Sequence, residues 1–155
     1  MVGKRILEEA GFTEQFTVEK LPLPEKLDAQ HLQWRESLIK GARDRQYAFT
    51  HGIAAKLING YLKDRFVCGG DHNNERVKCL HPPVDALLLH SLADNNFGGH
   101  AREWRRFLMT RWSKFDSKTY QSVIDLMRNS LPAGEPLWKI EQFWGGYQPT
   151  RETNA

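Results

Sequence analysis

The chain has only two cysteines among its 155 residues, Cys68 and Cys79. Two are too few for a disulfide framework, and the expected compartment is a reducing one, the cytoplasm. Long hydrophobic runs are also missing. None approaches the roughly 20 residues that span a bilayer, so no membrane partner is expected. The opening stretch MVGKRILEEAGF carries acids where a secretory signal would carry an apolar core. There is no G-x-S-x-G, no P-loop and no dinucleotide fingerprint, which leaves any enzyme reading without a nucleophile or phosphate motif. Internal repeats and low-complexity segments are absent. Charge of one sign is scarce too: the formal net charge is +3, too mild by itself to imply nucleic acid.

What is present is ordinary globular composition, 40% hydrophobic and 26% charged, in a length that suits one domain. The pattern is helical. Phe49, Ile53, Leu57 and Tyr61 step by four, and Ile58, Leu62 and Phe66 extend the stripe. Pro82 and Pro83 suit a first helical turn, and Val84, Leu87, Leu88, Leu89 and Leu92 follow as a stripe broad enough to be buried on most sides. These two runs predict a packed helix pair, with residues 82–93 as the buried centre. Other helices surround it. Lys4 to Ala10 ends at Gly11, and a second runs from an Asp28 cap to about Lys40. His100 to Trp112 shows Trp104, Phe107, Leu108 and Trp112 on one side. A further helix, capped by Asp116 or Ser117, buries Tyr120, Val123, Ile124 and Met127. Trp138 to Trp144 closes the series. The fold expected is all-α: a single compact domain of about six helices around a buried central helix. Residues 1–27 form an N-terminal helix and extended arm, residues 28–146 the helical body, and residues 147–155 a flexible tail. Phe16, Val18 and Leu21 alternate enough to leave room for a short strand in the arm. Gly52 and Gly60 fall near one face of the central helix, which suggests close helix–helix approach.

Four groups of residues carry the functional expectations. From His100 to Lys114 there are five basic residues, Arg102, Arg105, Arg106, Arg111 and Lys114, against one acid, Glu103. Guanidinium groups suit phosphate, so a basic helix contacting nucleic acid is the leading expectation. The neighbouring aromatics lie on the apolar stripe and are expected in the core. The tryptophan-rich C-terminal half supports the alternative, a protein-interaction or homo-oligomeric module.

The remaining groups lie nearer the chain's middle. His51, Lys56, Asn59 and Lys63 form a polar line along the central helix, suited to a polar groove. Asn59 stands out, because an amide inside a helix competes for the backbone. His81 and Asp85, with Lys56, are candidates for acid–base chemistry. Against them, Asp85 in a first turn is favoured by the helix dipole alone. Cys68, His72, Cys79 and His81 offer four zinc-type ligands, but their C-x3-H-x6-C-x-H spacing matches no common finger. Zinc is therefore the only cofactor to weigh.

Overall fold

A computed structural model describes residues 1–143, and these are all-helical, with no strand among them. The α-helices are α1 (Val2–Glu9), α2 (Leu27–Arg43), α3 (His51–Leu62), α4 (Glu75–Lys78), α5 (Ala86–Asp94), α6 (Ala101–Leu108) and α7 (Ser117–Ser130). A π-helical stretch, Lys63–Asp71, continues α3 and is kinked at Gly70, whose φ of 103° only glycine adopts cheaply. Short 3₁₀ turns fill the connectors. Among the described residues no helix is long and apolar enough to cross a membrane. The expectations placed on Trp144, on the end of the helical body and on the tail lie outside the described residues.

The N-terminal arm is not a strand. Val18–Lys20 is a 3₁₀ turn, and the arm folds inward on its aromatics. Phe12 meets Trp34 and Tyr61 edge-on, with ring centroids 5.3 and 5.4 Å away. Ile6, Phe12, Leu21 and Leu27 are all buried in one core with α2 and α3.

The most enclosed helix is α3, none of whose residues is exposed. Residues 82–93 are instead half-covered. Leu88, Leu89, Leu92 and Ala93 are buried, but Leu87 is 55% exposed and His90 faces solvent. The proline pair also lies before the helix, not in its first turn. Asp85 is the N-cap of α5 and accepts from the Leu88 amide at 2.9 Å, so the extended backbone favoured around Pro82–Pro83 ends where the cap begins.

Two apolar cores result. One gathers Ile6, Phe12, Leu21, Trp34, Leu38, Ile58, Leu62 and Phe66; the other gathers Leu88, Leu92, Trp104, Phe115, Val123, Ile124 and Met127. Helix α3 divides them, giving Ala54, Ile58 and Leu62 to the first and Ala55 to the second. Gly52 makes this possible. A Cβ there would lie 1.9 Å from the Trp112 carbonyl oxygen, and its N–H donates to Phe115 O at 3.1 Å. Its close neighbour is thus the Trp112–Lys114 turn, not a helix. Gly60 has no such neighbour: its Cβ would meet nothing within 4 Å beyond its own helix.

Candidate functional site

The buried stripe of α2 runs Leu27, His31, Trp34, Arg35, Leu38 and Ala42. Two of these six are basic, and they point into the seam between the cores. Asp28 lies beside them in the first turn of α2, so it is not the helix's N-cap. From α3 comes Asn59, from the chain before α5 comes His81, and from α7 comes Tyr120. His31, Arg35, Asn59 and His81 are each at most 2% exposed, and Tyr120 is 1% exposed.

The hydrogen bonds fix where the protons sit. His81 Nε2 is 2.9 Å from Asp28 Oδ1, and a carboxylate only accepts, so Nε2 carries the proton. His81 Nδ1 then accepts from the Tyr120 hydroxyl at 3.0 Å. Tyr120 Oη in turn accepts from Asn59 Nδ2 at 2.9 Å, while the other Asn59 N–H reaches Pro82 O at 3.0 Å. Asn59 Oδ1 accepts from His31 Nε2 at 2.8 Å. The result is one polarised chain, His31 to Asn59 to Tyr120 to His81 to Asp28, with every donor pointing the same way.

Asp28 ends the chain and is held from outside. Arg128 donates to both of its oxygens, at 2.9 and 3.1 Å, and Gln121 Nε2 to one, at 3.0 Å. The bond from His81 is the largest influence holding its carboxyl well below the usual range, with Arg128 adding to it. Burial pushes the two histidines the other way from protonation: the pKa values of His31 and His81 are both lowered, chiefly by desolvation. Burial also raises that of Tyr120. The chain is thus neutral except at its carboxylate end. His81 and Tyr120 have their polar atoms spent on protein partners and are sealed from solvent, so the arrangement ties α2, α3, α7 and the segment before α5 together.

Among the described residues four side chains hold buried polar atoms without partners, His31 Nδ1 and Trp138 Nε1 among them. Arg35 stacks over the Tyr120 ring, 4.5 Å from its centroid, yet its Nε and Nη1 are buried without an acceptor. His51 Nδ1 is likewise buried and unpartnered. Arg35 acts on His51 through its charge, and desolvation followed by that charge lowers the His51 pKa.

The polar line expected on α3 is dispersed. Lys56 pairs with Asp85 at 3.3 Å and lies 4.4 Å over the Trp112 ring; Lys63 pairs with Glu141 at 2.8 Å; Asn59 is turned inward; His51 sits at the helix start. The pairing of His81 with Asp85 is corrected too, since His81 bonds Asp28 and Tyr120 while Asp85 caps α5 and holds Lys56. The zinc set is not assembled. Cys68 and His72 are exposed, the Cys79 thiol donates to Arg76 O at 3.0 Å with its pKa pushed up to about 11 by burial, and His81 is committed to the chain above. Among the described residues no three His, Cys, Asp or Glu side chains are grouped to hold a metal.

The basic segment lies elsewhere, and only part of it is helix. Helix α6 ends at Leu108, and Trp112–Lys114 is a separate 3₁₀ turn. That turn is captured by α3: Thr50 Oγ1 donates to Ser113 O at 2.8 Å, alongside the Gly52 bond to Phe115. Arg102, Arg105 and Arg106 stand on α6, while Arg111 and Lys114 flank the turn. All five are exposed, and none is in an ion pair among the described residues. The aromatics point the other way, with Trp104 and Phe115 buried and Phe107 and Trp112 half-buried.

The chain matches no protein-family model, and no curated protein or solved structure matches it significantly.

Proposed function

We propose that the surface made by Arg102, Arg105, Arg106, Arg111 and Lys114 binds the phosphate backbone of nucleic acid. The observation that carries this is the exposure of all five cations with no carboxylate among the described residues neutralising them. The one acid within the segment, Glu103, lies 3.8 Å from His100, not on an arginine. Cations left free in this way release phosphate counterions on binding, which is the main source of backbone affinity. The aromatics of the segment are buried or half-buried, so the contact proposed is to backbone and not to bases.

Fluorescence anisotropy with a labelled DNA duplex and a labelled RNA hairpin tests this at low salt. Binding is expected, and the pair Arg105→Glu and Arg106→Glu should weaken it by at least about tenfold. No binding of either probe at low salt contradicts the proposal.

A second reading is self-association or protein contact through the α5–α6 hairpin. It is favoured by two exposed apolar side chains there, Leu87 at 55% and Met109, just past α6, at 86%. Sedimentation that finds a strict monomer at high concentration contradicts the self-association form.

A further inference from the structure

We propose that the groove between α2 and α7 is a binding site for a small oxyanion of the phosphate or phosphomonoester class, with Arg35 as its anchor. The groove is open, encloses about 610 Å³ and is lined by Arg35, Leu32, Ser117, Lys118, Asp28 and Asp125, among others. This inference is independent of the α6 surface.

The argument starts from Arg35. The residue is 1% exposed, its guanidinium is always charged, and two of its three nitrogens have no acceptor. A buried charged donor without a partner is costly, and the tyrosine face below it offsets only part of that. The carboxylates within reach are already used. Asp28 accepts from His81, Arg128 and Gln121, and Asp125 accepts from Gln121 and Arg128. Glu36 is exposed and acts on Arg35 only through its charge.

Of the other residues lining the groove, one is charged, and it is a cation. Lys118 stands exposed on the rim with no ion pair among the described residues. Ser117 opens α7, a helix of 14 residues whose start carries partial positive charge. The cap residue Asp116 opposes an anion there, but one of its oxygens is taken by the Thr119 amide at 2.7 Å. An oxyanion with several acceptor oxygens meets Arg35, Lys118 and the Ser117 hydroxyl together.

The test is an NMR titration of the ¹⁵N-labelled full chain with inorganic phosphate, against sodium chloride at matched ionic strength. The expected result is saturable shifts at the Arg35 Nε–H and at the Ser117 and Lys118 amides. Arg35→Met should abolish them. Lys118→Glu, on the exposed rim, should raise the half-saturating concentration about fivefold and serves should Arg35→Met not fold. Arg105→Glu with Arg106→Glu should leave the titration unchanged. The proposal is overturned if chloride reproduces the shifts. It is equally overturned if phosphate shifts only the Arg102–Arg106 signals, or if Lys118→Glu titrates like the unaltered chain.

Discussion

Asn59 is the residue on which the seam between the two cores turns. Its amide serves three partners at once, His31, Pro82 O and Tyr120. Asn59→Leu matches its size but leaves Pro82 O and His31 Nε2 without partners in a dry site. A loss of about 2–4 kcal/mol in urea unfolding is expected. A loss under about 0.5 kcal/mol would mean the chain of bonds contributes little. The two glycines of α3 make a sharper pair. Gly60→Ala adds a Cβ into open space and should stabilise by up to about 1 kcal/mol through helix propensity. Gly52→Ala drives a Cβ into the Trp112 carbonyl and should cost several times that, with the same urea titrations as the readout. The α2 stripe is not legible at this scale. Leu32, Leu38 and Ile39 mark an apolar face, but the buried line includes His31 and Arg35. The only sequence signal is that these two sit four and eight residues beyond Leu27, in step with Trp34 and Leu38. Their partner Tyr120 lies about ninety residues on, beyond any local pattern.

Elements were legible where their own residues decide them and illegible where distant contacts do. Asp116 caps α7, and Tyr120, Val123, Ile124 and Met127 are buried, all as the 3.6-residue period predicts. The period also separates the arginines from the aromatics of α6. It does not reveal where α6 stops, because the capture of Trp112–Lys114 by Thr50 and Gly52 is tertiary. Nor does it reveal that α5 is covered on one side only, since the surrounding helices set that. The exposed leucine on α5 leads to a prediction at this scale. If the α5–α6 hairpin mediates self-association, Leu87→Asp should shift sedimentation toward monomer with no loss of helical circular dichroism. An unchanged sedimentation profile would take Leu87 out of any contact.

At the scale of the molecule, two apolar cores meet across a polar seam, and this makes stability depend on pH. His31 and His81 have pKa values lowered below 6.5 in the fold, while in the unfolded chain they titrate near that value. Below it the unfolded chain binds more protons than the folded one, so stability falls as pH drops. Above it the contribution is complete. Each histidine adds at most about 1.4 kcal/mol per pH unit to the slope. Asp28, held low, adds a further loss only once pH falls below roughly 4. Urea unfolding at pH 7.5 and pH 5 should therefore differ by more than about 1 kcal/mol. His31→Gln, which keeps a donor for Asn59, should shrink that difference. Equal stability at the two pH values would place neutral histidines outside the seam's energetics.

The functional claim concerns the opposite feature, charge left at the surface unneutralised. It is tested most directly by the salt dependence of duplex binding. With three to five phosphates contacted by Arg102, Arg105, Arg106, Arg111 and Lys114, log K against log salt should fall with a slope of about −3 to −4.5. Removing Arg105 and Arg106 should shallow that slope by about 2. A slope near zero, or one that the double substitution leaves unchanged, would contradict the account.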